Sequence, residues 1–340
     1  MTNLSPPLKP IITNISIGDN ITVTWSKPSN NTIGIKYILT ASGDTGIIYA
    51  PSTPALTSNI TISTIGTFYF YVQATNSCGS AISTVSGPFV LIASATGGTI
   101  TNISGYKVHT FKANGTFTIN RGITSVDFLI VGAGGAGGDP ANTGGINYKS
   151  GGGGGGGAVI DKTTIPISAG SYSVVIGLGS GGMAAGQNSS FNGYTASGGL
   201  PGKNLSTPNG GSSGNGYSGG IGYNSNNSNG AGGGGGGAGN VGGNADSVNF
   251  IGGDGGVGTF SDILGTRTYY GGGGGGGTCG GTTRSNGGLG GGGKGSLTTT
   301  PDAGTANTGG GGGGGGVNSS QVAFGGKSGG SGIVIIRYPI

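Results

Sequence analysis

The stretch Val126-Asp-Phe-Leu-Ile-Val131-Gly132-Ala-Gly134-Gly-Ala-Gly137 marks where an apolar run gives way to glycine, and Gly332-Ile-Val-Ile-Ile-Arg-Tyr338 marks the return. All but 12 of the chain's 89 glycines lie between Gly132 and Gly332. They come in runs, Gly151–Gly157, Gly232–Gly237, Gly271–Gly277, Gly290–Gly293 and Gly309–Gly316, with irregular spacers. Collagen needs glycine strictly every third residue and proline to match, so it is excluded. Disorder is the competing reading. Only 7% of the 340 residues are charged, and Ile, Val, Phe and Tyr are scattered between the runs, whereas solvated linkers are rich in Glu, Lys and Ser. Order is therefore expected.

The apolar runs at the two mouths, Phe128–Val131 and Ile333–Ile336, suit strands buried on both faces. They are expected to be neighbours, so that residues 132–331 form an insertion held at both ends. Ordering a backbone residue costs about 1–2 kcal/mol, with glycine at the upper end, and 177–330 has too little side-chain area to offset this alone. Extended glycine segments can approach closely and pair their outward N–H and C=O groups with several neighbours. The runs are thus read as packed, polyglycine-II-like segments joined by Asn/Ser/Thr turns. Tyr148, Phe191, Tyr194, Tyr217, Tyr223, Tyr269, Tyr270 and Phe324 are expected to cap or flank them.

The chain contains no glutamate, and Thr, Ile, Val, Asn and Gly dominate, so the fold class is all-β. A formal charge of +5 is dispersed over the length, with no basic cluster interleaved with aromatics, which argues against nucleic acid. No apolar run approaches ~18 residues, so membrane insertion is not expected. The first residues lack a basic and then apolar leader, so no secretory signal is expected. Cys78 and Cys279 can form a disulfide on parity. They fall in different predicted domains, which favours two buried thiols, and with the single His109 they make no zinc set. The Asn-x-Ser/Thr triplets (Asn14, Asn20, Asn59, Asn102, Asn114, Asn188) are chance matches in so Asn-rich a chain.

In chain order, residues 1–94 hold about seven short alternating segments. Among them are Ile21-Thr-Val-Thr-Trp25, Lys36-Tyr-Ile-Leu-Thr40, Gly46–Ala50, Ile60–Ile62, Phe68–Ala74 and Ser86–Ile92, which describe a β-sandwich. Pro10, Val23-Thr-Trp25-Ser-Lys-Pro28 and Tyr69-Phe-Tyr71-Val-Gln-Ala-Thr-Asn76, followed by Gly79, resemble a fibronectin type III domain. The resemblance implies a spacer or binding module. Residues 95–104 read as a linker. Residues 105–340 form the glycine-rich domain, with strands within 105–131, 158–176 and 332–338 clamping segments 132–331. Its first hairpin turns at Asn114-Gly115.

Three motifs look like chemistry. Gly132-Ala-Gly134-Gly-Ala-Gly137 fits the dinucleotide fingerprint, but the glycines that follow cannot form the helix whose N-terminus would meet a pyrophosphate. Gly325-Gly-Lys327-Ser328 resembles a P-loop, but Gln321 stands where its first glycine belongs. Gly288–Lys294 has the spacing but carries Gly295 in place of the Ser/Thr. One histidine and nine dispersed aspartates leave few groups for acid–base work, and His109 reads as a surface or packed strand residue. No catalytic, cofactor or metal residue is assigned, and no enzyme is expected.

Four pieces carry a second resemblance: Phe111–Ile119 ahead of Val126–Gly135; Gly170-Ser-Tyr-Ser-Val-Val-Ile-Gly177 with Asn188-Ser-Ser-Phe191; Gly304-Thr-Ala-Asn-Thr-Gly-Gly-Gly; and Gly329-Gly-Ser-Gly-Ile-Val-Ile-Ile-Arg-Tyr338. Together they resemble the glycine-rich domain of phage tail-fibre and large DNA virus surface proteins. The resemblance implies a virion surface or extracellular appendage, a homo-oligomer among virion or filament subunits, and contact with a host receptor or glycan. Loops Leu200–Asn209, Tyr217–Asn229 and Thr298–Asn307 are the expected contact sites. A purely structural filament or matrix subunit is the alternative. An ice-binding protein comes third, because the spacers lack a Thr-bearing three-residue repeat.

Overall fold

A computed structural model describes residues 5–18, 20–29, 33–140, 149–204, 207–224, 229–318, 320 and 322–340, in which every regular element is a strand. Alternation builds the N-terminal part. In β2 (Ile21–Ser26) the side chains of Ile21, Val23 and Trp25 are buried, and the residues between them are half-buried. β6 (Gly66–Asn76) likewise buries Phe68, Phe70, Val72 and Ala74. β2 lies between β1 (Ile11–Ile17) and β5 (Thr57–Ile60). A second sheet runs β4 (Gly46–Tyr49), β3 (Lys36–Gly43), β6, β7 (Gly79–Ile82), and β8 (Ser86–Leu91) also pairs with β6. The inward residues of both sheets form one core around Trp25, whose ring centroid is 5.5 Å from that of Tyr37.

Residues 95–104 are not a linker. They carry most of β9 (Ser94–Thr96) and all of β10 (Thr99–Ile103), which enter opposite sheets. Short polar segments read as a linker because they bury little, yet their backbones complete two sheet edges. Gly97 and Gly98 make the corner between them in the left-handed region (φ 111° and 62°), and a Cβ on Gly98 would sit 2.7 Å from the Thr110 carbonyl.

The first of these sheets runs β10, β11 (Tyr106–Phe111), β25 (Ile333–Pro339), β13 (Ser125–Val131), β14 (Val159–Pro166). The second runs β17 (Tyr194–Ala196), β16 (Ser189–Phe191), β15 (Gly170–Val175), β12 (Gly115–Arg121), β9. Phe111, Phe117, Phe128, Phe191, Val334, Ile336 and Tyr338 are among the side chains filling the space between them. The strands flanking the glycine-rich stretch are adjacent and antiparallel, with Val131 opposite Ile333 and Asp127 opposite Arg337. Both are buried on two faces. Phe128, Ile130, Val334 and Ile336 meet the second sheet. Leu129, Val131, Ile333 and Ile335 meet a smaller core with Ala238, Ile263 and Tyr270 from the insertion. Arg337 ties the two layers together: Nε donates to Asp127 at 3.0 Å, Nη1 donates to the Ile263 carbonyl at 2.8 Å, and the guanidinium lies 4.5 Å from the Tyr106 ring centre.

Within 132–331 the backbone supplies the order. The N–H groups of Gly151, Gly154 and Gly157 donate to the carbonyls of Gly315, Gly312 and Gly309. Those of Gly152 and Gly155 donate to Lys203 and Leu200, and those of Gly153 and Gly156 to Gly233 and Gly236. Carbonyls of the same run accept from Gly135 and Gly138, from Gly211 and Gly214, and from Gly274 and Gly277. One run is therefore hydrogen-bonded to six surrounding segments, and each partnership recurs every third residue. None of Gly151–Gly157 has positive φ, so glycine is required here by proximity: a Cβ on Gly154 would fall inside contact of the Gly135 carbonyl oxygen. The Cα–H in that position points at the oxygen instead, a weak contact worth about 0.5–1 kcal/mol. A net ~1 kcal/mol per N–H···O bond plus this contact roughly matches the ordering cost.

Asparagine ends the network. The Oδ1 atoms of Asn188, Asn209, Asn215 and Asn244 accept the N–H groups of Gly198, Gly222, Val159 and Ile221 at 2.7–3.0 Å, in the place of a backbone carbonyl. The aromatic residues do less capping than expected. Phe191 is in the sandwich core, edge-on to Phe117 and Phe128, Tyr194 packs against the same core, and Tyr270 joins the smaller one. Three-residue strands β16, β17 and β21 (Thr268–Tyr270) carry them there, and such short strands leave little periodicity to read. Two-residue pairings make up the remaining strands, β18 (Tyr223–Asn224), β19 (Gly230–Ala231), β22 (Thr278–Cys279), β23 (Gly316–Val317) and β24 (Ala323–Phe324), beside the three-residue β20 (Thr259–Ser261) that pairs with β21. Tyr148 lies outside the described residues.

Candidate functional site

The motif residues serve the fold. All seven N–H groups from Gly132 to Gly138 donate to carbonyls of neighbouring segments, Ala158, Gln187, Gly330, Gly155, Ala184, Lys327 and Gly152 in turn. A phosphate placed there would have to displace these bonds. Gly288, Gly292 and Gly293 are used in the same way, and Lys327 lends its backbone to Gly137 and Gly313. Gln321 lies outside the described residues. His109 is fully buried between the sheets, with Nδ1 2.7 Å from the Gly97 carbonyl and Nε2 3.4 Å from the Tyr338 hydroxyl. Burial pushes its pKa below the usual histidine value, the Lys107 charge adds to this, and the Gly97 contact opposes it. No disulfide joins the cysteines: Cys279 is buried, as expected, whereas Cys78 is exposed in the turn between β6 and β7.

The three expected contact loops differ from one another. Thr298–Asn307 has exposed side chains, but its backbone belongs to the network: Asp302, Gly304 and Thr305 donate to Lys294, Ser328 and Gly291. Arg284 fixes it further, with Nη2 donating to Thr300 O at 3.0 Å and to Asp302 Oδ1 at 2.9 Å. In Leu200–Asn209, Leu200 is exposed while its backbone bonds Ser212 and Gly155; positions 205–206 lie outside the described residues. Tyr217–Asn229, described except for 225–228, leads to an exposed apolar surface.

That surface is built by two adjoining segments. Gly242 N donates to Ser218 O, Ala245 N to Ile221 O at 2.8 Å, and Ile221 N to Asn244 Oδ1 at 2.8 Å. On this fixed backbone Tyr217, Ile221, Tyr223, Val241 and Val248 are all exposed, Val248 at 80%. The Phe250 ring lies 6.2 Å from that of Tyr223. Large apolar side chains gathered outward on a rigid support are the usual mark of an interaction surface. Val241, Val248 and Phe250 escaped the sequence reading, because nothing in 240–250 shows that it folds beside 217–224.

A family model described as a glycine-rich domain matches residues 110–339. The chain belongs to the glycine-rich domain family. The match begins inside β11 and ends at the last residue of β25, so it takes in β12–β17 and β25 of the clamping sandwich as well as the glycine network, and leaves out the edge strands β9 and β10. No curated protein shows a significant match to the chain.

Proposed function

We propose that this is a non-enzymatic adhesive protein of a virion surface or tail-fibre-type appendage, in which the glycine-rich domain holds side chains outward for contact with a host receptor. The observation that carries the reading is the exposed cluster of Tyr217, Ile221, Tyr223, Val241 and Val248 on a backbone fixed by hydrogen bonds. A rigid, prepaid support is what contact residues need, because less entropy is lost when a partner binds. The three-residue recurrence and six-neighbour pairing of Gly151–Gly157 support a polyglycine-II-like lattice as that support. The N-terminal sheets, β1-β2-β5 against β4-β3-β6-β7, are consistent with a fibronectin type III-like spacer ahead of it.

The test is direct. Labelled full-length protein titrated onto a panel of bacterial and eukaryotic cells is expected to bind a subset saturably. The triple variant Tyr217→Ser, Ile221→Ser, Val241→Ser should weaken that binding at least about tenfold with its melting temperature unchanged. Absence of saturable binding on every cell type, together with filaments in negative-stain images, would favour the structural-subunit alternative.

A further inference from the structure

Next to the exposed apolar cluster, residues from 243–246, 251–254 and 283–286 line an open cleft of about 410 Å³. Gly252 and Gly253 are buried in its wall, and Asn244, Asp246, Asp254, Arg284 and Asn286 line it. Asp246 is committed to its own turn. Its carboxylate accepts the N–H groups of Val248 and Asn249 at 2.8 and 3.0 Å and the Asn249 amide at 2.8 Å, and these bonds hold its pKa below the usual aspartate value. The turn carries Phe250 in the left-handed region (φ 55°), a strained conformation for an aromatic residue.

The other lining groups are only half used. Asp254 accepts the Asn286 N–H through Oδ1 at 2.6 Å, and its Oδ2 makes no hydrogen bond to another described residue. Asn244 accepts through Oδ1, which leaves its Nδ2 donors unengaged among the described residues. The Asn286 side-chain amide and Arg284 Nη1 are likewise unengaged among them, Arg284 using Nε and Nη2 for Gly295, Thr300 and Asp302. The cleft thus offers a carboxylate acceptor beside amide and guanidinium donors. A sugar hydroxyl both donates and accepts, so a pair of adjacent hydroxyls matches such a set. The positive charge of Arg284 is already paired with Asp302, and Asp246 and Asp254 leave the cleft acidic. Sugars bearing carboxylate, sulfate or phosphate would be repelled. Tyr223, exposed and near Phe250, supplies an apolar ring face close by.

The geometry points to a binding site for a neutral saccharide in this cleft, an inference that rests on the adhesive reading and names its ligand class. The experiment is saturation-transfer NMR on the full chain with galactose, glucose, mannose and N-acetylglucosamine, and with N-acetylneuraminic acid as the anionic comparison. At least one neutral sugar should bind saturably in the millimolar range and the anionic sugar should not. Asp254→Asn retains Oδ1 as an acceptor and should weaken binding about tenfold without moving the melting temperature; Leu289→Ala should leave binding unchanged. Silence from every neutral sugar, equal binding of the anionic sugar, or an unaffected Asp254→Asn variant would overturn the inference. Cell adhesion measured alongside separates the two readings. Adhesion to cells with no binding of any neutral sugar removes the saccharide assignment alone, whereas saturable sugar binding without adhesion to any cell removes the adhesive reading alone.

Discussion

Gly154 shows what one hydrogen atom is worth in this protein. Its φ is ordinary, so alanine would be conformationally welcome, yet a Cβ would collide with the Gly135 carbonyl and the Ala136 backbone. No flexible side chain is there to give way, so Gly154→Ala should cost at least the ~1–3 kcal/mol of an overpacked core and lower the melting temperature by several degrees. Gly181 is the control: a Cβ there meets only Ser328 Cβ at 3.8 Å, and Gly181→Ala should be neutral or slightly stabilising. Equal calorimetric shifts for the two variants would contradict the close-approach account. His109 makes the second prediction. Its folded pKa lies below the unfolded value of ~6.5, so the folded state binds fewer protons. Its contribution is fully present above that unfolded pKa and declines as pH falls through it toward the folded value. The chain has a single histidine, so the decline in melting temperature between about pH 7 and pH 5 should largely vanish in His109→Gln, which keeps a polar group in the site. An unchanged slope in that variant would place the titration elsewhere.

The paired strands β13 and β25 turn a glycine-rich segment into an insertion fixed at both ends, and they should fail together with it. Ile335 is fully buried in the smaller core, which also takes Ile263 and Tyr270 from the insertion. Ile335→Ala should cost about 2–5 kcal/mol. Residues 132–332 should then become protease-sensitive in the same transition that unfolds the sandwich, read by mass spectrometry along a denaturant series; two separate transitions would mean that the network stands without its clamp. These strands were legible because Phe128–Val131 and Ile333–Ile336 are unbroken apolar runs, a pattern that implies cover on both faces. The cover itself was legible only in part. Ile263 and Tyr270 arrive from a region whose periodicity is too short to read, and Phe191 passed for a cap although it is sandwich core. Which glycine run adjoins which was not legible at all. Side chains encode register, and a segment such as Gly151–Gly157 has none. The candidate site shared this fate, since Val241 and Asp254 become neighbours of Tyr217 and Asn286 only through that pairing.

Across the whole molecule, composition and rigidity run opposite to habit: the most glycine-rich part is the most interconnected. Gly151–Gly157 sits at the centre, its N–H groups donating to three segments while its carbonyls accept from three others. Opening any one of these amides locally would require separating several segments at once, because each neighbour is bonded to further neighbours; Gly274, which donates to Gly154, belongs to a run that also bonds Gly235 and Gly256. Amide exchange there should therefore proceed only through global unfolding, the regime usually reserved for core strands. The segments bearing Tyr217–Tyr223 and Val241–Val248 lie at the rim, where Asn209 and Asn244 side chains accept backbone N–H groups, and they should exchange faster than the centre while staying protected relative to an unfolded chain. Hydrogen–deuterium exchange followed by mass spectrometry resolves the two sets of peptides. Protection of the 151–157 peptide equal to that of β13 and β25, with earlier exchange at 217–224 and 240–249, is the expected pattern. Exchange of the 151–157 peptide within seconds would mean that the glycine runs are loose chains and that the rim side chains have no rigid support.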